Sequence, residues 1–247
     1  GVWLAALLSW PWALWVLRTA PLTTSGVLYI LATGAIHAWY FGFLGRSYAL
    51  GDISLVYPVA RGTGVAGTAI LAWIVLHERL SLTGASGIGA ICLGTVLLGL
   101  GQRRHTPHLA AYGQALCVGL TIMSYSIIDK LAVGQVHPVV YVSGLFSVTA
   151  LLLTPYVLRR HWAPCVYAYQ HLKSIAALIG LGSISTYLII LFTYRLGPVS
   201  YIVAVREFAV VIGASLGVVV LKERLTRRKS LGIAAITLGL GLVKMAV

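Results

Sequence analysis

Nine apolar runs, each long enough to cross a bilayer as a helix, follow one another with only short polar breaks, and no other feature of the chain restricts its fold as much. They cover about residues 1–17, 25–45, 52–76, 82–101, 109–131, 138–158, 174–195, 199–221 and 230–247. A spanning helix needs roughly 17–25 mostly apolar residues, because the hydrocarbon core is about 30 Å thick. Only 9% of the 247 residues are charged and 59% are hydrophobic, with a mean hydropathy of +0.93. A soluble domain carries about 25% charged residues; this chain has too few polar groups to cover itself in water, so its solvent is lipid. The expectation is an all-α integral membrane protein of about nine visible spans, multi-pass in the cell membrane. Disorder, a collagen-like fold and a disulfide scaffold are excluded by the same composition.

The net charge of +13 would point to nucleic acid if the cations were gathered on one soluble face. They fall instead singly or in small groups between the runs, most densely at Lys222, Arg224, Arg227, Arg228 and Lys229, as in solvated membrane loops, and no nucleic-acid partner is expected. Cationic loops are richer after even-numbered spans, so the positive-inside rule places the 222–229 loop in the cytoplasm and Val247 outside. The cysteines Cys92, Cys117 and Cys165 are far apart and define no redox site. Residues 1–17 end in Arg18, with the charge at the wrong end for a secretory signal, so this run reads as a span.

An internal repeat organises the runs. Gly51-Asp-Ile-Ser54, Arg61, Glu78-Arg79-Leu80 and Gly87 recur as Gly197-Pro-Val-Ser200, Arg206, Glu223-Arg224-Leu225 and Gly232. Gly51 to Gly197 is an offset of 146 and the later pairs are offset by 145, which one deletion explains. The halves run over 1–101 and 109–247, with four and five spans. The pattern implies five plus five with the leading helix of the first half absent. An odd number of spans per half inverts the halves in the membrane, as in many secondary transporters, where the substrate site lies near the midplane.

The phrases Ser47-Tyr-Ala-Leu-Gly-Asp-Ile-Ser-Leu-Val-Tyr-Pro58 and Leu76-His-Glu-Arg-Leu-Ser81, with the Gly-rich run 87–101 and the echo Leu221-Lys-Glu-Arg-Leu225 before Gly232, resemble the drug/metabolite transporter superfamily, specifically its EamA-type ten-helix members. The resemblance implies a carrier with an inverted 5+5 repeat and both native termini in the cytoplasm, the reverse of the charge count. It leaves the cargo open among amino acids, other metabolites, drugs, nucleotide sugars and organic phosphates. It also implies that the helices bearing His37, Trp39, Tyr40, Tyr48, Tyr125, Ser126, Asp129, Lys130 and Tyr187 line a central cavity.

Charge at helix-centre depth costs about 2.5–3.5 kcal/mol per residue even on lenient scales, so such residues are functional candidates. Arg61 lies about nine residues into its run, on the order of 14 Å of helical rise. Arg206 is its repeat partner, with Glu207 beside it. Arg61 has no acid within its own span except Asp52 near the entrance, more than two turns away, so its guanidinium is expected to seek an anionic group, for which its planar fork is suited. The bland alternative is that Glu207 neutralises one arginine and the other snorkels to an interface. Tyr57 stands four residues before Arg61 and shares its face. The expected binding residues are Tyr57, Arg61, Arg206, Glu207, His37, Tyr40, Tyr125 and Tyr187. For proton coupling Glu207 is the better placed group and His37 the weaker; Asp129 and Lys130 read as a local pair at a helix end.

Other matches carry less. Gly62-Thr-Gly-Val-Ala-Gly67 fits a dinucleotide fingerprint but lies inside a span with no preceding strand, so its glycines read as permitting close helix approach. Gly213-xxx-Gly217, Ser86-xxx-Ala90-xxx-Gly94 and Ala235-xxx-Gly239 read as small-residue ridges that join the halves or form a homodimer. His105 and His108 lack further ligands, and no metal or cofactor is expected. Glu78-Arg79 and Glu223-Arg224 read as fixing turns. The leading expectation is a secondary transporter, not an enzyme, moving an anionic or zwitterionic metabolite such as an amino acid or organic acid across the membrane by alternating access. The rivals are an integral-membrane enzyme and a non-transporting receptor or assembly subunit.

Overall fold

The computed structural model describes residues 1–51, 53–100, 109–220, 222 and 225–246. Its helices are α1 (Val2–Leu17), α2 (Thr24–Leu50), α3 (Ile53–Val75), α4 (Leu82–Leu100), α5 (Leu109–Ala132), α6 (Pro138–Arg160), α7 (Trp162–His171), α8 (Lys173–Leu196), α9 (Val199–Val205), α10 (Phe208–Val219) and α11 (Arg227–Ala246). No strand occurs among the described residues. All nine apolar runs are helical: eight segments are long and apolar enough to span, and Val2–Leu17 is a shorter apolar helix. The chain is an all-α integral membrane protein. The sequence did not anticipate α7, nor the break that divides the 199–221 run into α9 and α10. The pairs Glu223-Arg224 and His105 with His108 lie outside the described residues.

Burial is the inverse of a soluble protein. Trp12, Trp73, Leu178 and Val219 are each more than 60% exposed, whereas Thr33, Ser126, Asp129 and Glu207 are buried. Apolar side chains facing outward lose nothing in hydrocarbon, and the polar ones must then be satisfied inside.

The chain forms two compact units. One comprises residues 1–39 and 128–196, the other 40–127 and 197–247. Each draws helices from both sequence repeats, and the divisions fall within α2 and α5. In the first unit α1 packs on α6, with Trp3 Nε1 donating to Thr154 Oγ1 and Trp10 Nε1 to Ser147 Oγ, both at 2.8 Å.

In the second unit α4 and α11 lie antiparallel at backbone contact. A Cβ on Gly94 would meet the Gly232 carbonyl oxygen at 2.6 Å, and one on Gly87 would meet that of Gly239 at 2.8 Å. These glycines are related by the repeat offset of 145, so the two contacts are images of each other. Ile91 and Ile236, both fully buried, fill the space between. The seam thus runs along Gly87, Ile91 and Gly94 rather than the Ser86, Ala90 and Gly94 ridge expected, and it is spent within the chain. Lipid supplies no hydrophobic drive, so close backbone approach through small residues substitutes for it. Gly64 and Gly67 do the same against Ile122 and Met123, while Gly213 meets nothing within 4 Å.

Each repeat also carries one strained turn. Among the described residues His77 and Lys222 are the non-glycine residues with positive φ, both at 53°, and they too are 145 apart. The left-handed conformation costs an L-residue roughly 1–2 kcal/mol.

Two stability measurements follow. Gly94→Val should lower the thermal midpoint in detergent through overpacking worth about 1–3 kcal/mol, while Gly213→Val should leave it unchanged. His137 caps α6, its Nδ1 accepting from Val139 N at 3.3 Å, which requires a neutral ring. Burial, and secondarily the charge of Arg195, lower its pKa below the usual 6.5. Its contribution is therefore complete above that value and lost as pH falls through the lowered one. In wild type the midpoint should decline on acidification over that range, and His137→Asn should flatten this part of the profile.

Candidate functional site

The run from Val199 to Val219 is interrupted where its two charged residues stand. Arg206 ends α9 and Glu207 begins α10, both still right-handed, with φ −57° and −68°. Glu207 N donates to Ala204 O at 3.0 Å, Ala209 N to Arg206 O at 3.2 Å and Val210 N to Glu207 O at 2.9 Å. These are three-residue bonds, so the ladder tightens to 3₁₀ geometry around the pair. The order of charges suits the break. Arg206 sits at the negative end of α9 and Glu207 at the positive end of α10.

Glu207 is fully buried and pairs with Arg61 of α3. Arg61 Nη2 lies 2.5 Å from Glu207 Oε1, and Arg61 Nε donates to Oε2 at 3.3 Å. The guanidinium is stacked 5.9 Å from the centroid of Tyr57, within cation–π range. This corrects the expectation that Arg61 stands without an acid and agrees with the alternative that Glu207 neutralises one arginine: the partner is 146 positions away in sequence. Tyr125 and Arg206 also act electrostatically on Arg61, and Tyr40 feels both arginines while meeting Tyr125 edge-to-face at 6.2 Å. Six of the eight expected residues, Tyr40, Tyr57, Arg61, Tyr125, Arg206 and Glu207, therefore form one cluster in the second unit.

The other two, His37 and Tyr187, belong to the first unit. Their rings meet edge-to-face at 5.6 Å, and Tyr187 OH lies 3.2 Å from His37 Nε2. With them is Asp129, buried and accepting from Thr33, Tyr141 and Tyr187. The sequence reading assigned Asp129 to Lys130, but Lys130 Nζ donates to the Tyr194 carbonyl. Adjacent residues on a helix diverge, so the neighbour was the wrong partner to test.

Glu78 fixes a turn, as expected, and more firmly than the sequence implied. Its carboxylate accepts from Val199 N at 2.7 Å, from Ser200 N at 3.2 Å and from Ser200 Oγ, and Tyr201 OH accepts from Ser81 N at 3.1 Å. The α3–α4 turn is thereby bound to the start of α9, the same helix that ends at Arg206. Among the described residues no group of three or more His, Cys, Asp or Glu is placed to hold a metal ion.

Residues 109–245 match the EamA-like transporter family. A 60-residue stretch is 32% identical to the spermidine export protein MdtI of Cronobacter sakazakii, covering 24% of this chain and 55% of that protein. The chain thus spans about half the length of this curated relative. A crystal structure of a protein 16% identical superposes with a TM-score of 0.71 over 100% of this chain and 98% of its own, and shares the fold.

Breaking a buried ion pair from one side costs about 3–5 kcal/mol, since it leaves a charge uncompensated. Glu207→Met leaves the buried Arg61 guanidinium without its carboxylate, whereas Arg61→Met leaves Glu207 next to Arg206 in the chain. Glu207→Met should therefore lower the thermal midpoint more, and adding Arg61→Met to it should restore part of the loss.

Proposed function

Because this chain belongs to the EamA-like transporter family and is a multi-pass membrane protein, we propose that it is a transporter whose cargo is a small zwitterionic metabolite of the amino-acid type, exported by alternating access. The observation that carries this reading is the Arg61–Glu207 pair, stacked on Tyr57 and set at a helix break. A zwitterion replaces the pair partner for partner: its carboxylate takes the guanidinium fork and its ammonium takes Glu207, so no charge is stranded in the exchange. The aromatic faces of Tyr57, Tyr40 and Tyr125 give an ammonium further favourable contact.

A polyamine such as that named for the Cronobacter protein meets two guanidiniums against one carboxylate, and the likeness supports the direction of transport rather than the cargo. The 3₁₀ turn between α9 and α10 supports a moving part, since half-helices joined by a tight turn change their angle at little cost in hydrogen bonds.

The test is counterflow in liposomes containing the full chain, with labelled neutral amino acids, dicarboxylic acids and spermidine supplied in parallel. Neutral amino acids should exchange fastest, and Arg61→Ala or Glu207→Ala protein that inserts normally should lose about tenfold or more of the rate, the scale of one charged hydrogen bond. Exchange of spermidine alone, or native rates in both variants, would overturn the assignment.

A further inference from the structure

We propose that Asp129, Tyr187 and His37 form a proton-binding relay through which cargo movement is coupled to a proton; the coupling rests on the transport reading above, the relay itself on the geometry of the first unit alone. Asp129 is 1% exposed and His37 5%. Asp129 Oδ1 accepts from Thr33 Oγ1 at 2.8 Å and from Tyr141 OH at 2.6 Å. Its Oδ2 bonds Tyr187 OH, which also lies 3.2 Å from His37 Nε2. His37 Nδ1 is 2.8 Å from the Thr33 carbonyl, which only accepts, so Nδ1 carries a hydrogen.

Proton counting then fixes the states. Tyr187 has one hydroxyl hydrogen and stands between two acceptors. If it donates to the Asp129 carboxylate, His37 Nε2 must carry a proton and donate to the tyrosine oxygen. If it donates to His37 Nε2, Asp129 must be the acid and donate to the tyrosine oxygen. The two states hold the same number of protons. They interconvert when the Asp129 O–H breaks toward the Tyr187 oxygen while the Tyr187 O–H passes its proton to Nε2, leaving carboxylate and imidazolium. Remove one proton, and carboxylate and neutral imidazole compete for a single hydrogen, with a net charge of −1 in a buried site. The relay thus holds one exchangeable proton in either of two arrangements, with Oδ1 of the carboxyl group still accepting from Thr33 and Tyr141 in both.

Charges that would freeze the acid are directed elsewhere. From α5, Lys130 Nζ donates to the Tyr194 carbonyl. From α8, Arg195 donates to the carbonyls of Val133 and Val136 at 3.0 and 3.3 Å. From α6, Tyr141 donates to Asp129, and His137 caps that helix at its start. From α2 the group is His37 itself, and α1 contributes no titratable side chain over residues 2–17.

Infrared titration of the purified full chain reads the relay directly. The wild-type minus Asp129→Asn difference spectrum should contain a carboxylic-acid carbonyl component that titrates with pH. Tyr187→Phe, which keeps the ring packing on Phe146, should move the midpoint of that component by about one pH unit or more, the scale of one lost hydrogen bond. A difference spectrum with no titrating component, or an unmoved midpoint in Tyr187→Phe, would overturn the relay. Coupling is read in liposomes loaded with a pH dye and given an equimolar mixture of the twenty L-amino acids. Wild type should move protons with the cargo, and the protons moved per cargo molecule should fall about tenfold or more in Tyr187→Phe and His37→Gln. Cargo movement without protons in wild type would overturn the coupling. Absence of any cargo movement would instead refute the cargo assignment, with the infrared titration still deciding the relay.

Discussion

A charge carried into hydrocarbon must be answered by groups of the same protein, because lipid offers neither counterion nor hydrogen bond. Acid is scarce here, five residues in 247, and each described acid is committed. Glu207 holds Arg61, Glu78 holds the start of α9, and Asp129 gathers three hydroxyls. The packing obeys the same constraint from the apolar side. With lipid as apolar as leucine, α4 and α11 associate through glycines that bring backbone against backbone.

Glu207 and Asp129 are both buried carboxylates, and their surroundings differ in kind. Glu207 faces a guanidinium, a permanent positive charge with donors only, and exchanging its partner means exchanging one ion for another. Asp129 faces hydroxyls and an imidazole, which donate to a carboxylate or accept from an acid by reorienting hydrogens. The first environment suits a charged cargo and the second a charge that comes and goes. The two chemistries stand in different units of the chain.

The spans were legible because length and hydropathy are properties of contiguous sequence, and all nine runs became helices. The break at Arg206 was not. It has neither proline nor glycine to mark it, and only the adjacency of opposite charges in the order that suits two helix ends hinted at it. Arg61 was recognised as deep and charged, yet its partner lay 146 residues off, beyond any local pattern; the repeat aligned Arg61 with Arg206, one position short of Glu207. Asp129 was passed over because a lysine stood next to it, although neighbours on a helix point about 100° apart. Tyr187 is identified only through family resemblance, and His37 through that and as a side chain able to carry a proton; the geometry that joins them to Asp129 depends on three helices that no sequence spacing brings together.

The paired left-handed turns at His77 and Lys222 belong to the repeat. Imidazole and ammonium share little chemistry, and neither relieves the strain that glycine would remove. What the two positions have in common is a peptide geometry at equivalent places in the repeat, ahead of the same Glu-Arg-Leu triplet. The repeat in this molecule is thus expressed in a dihedral angle even where the residue that adopts it differs.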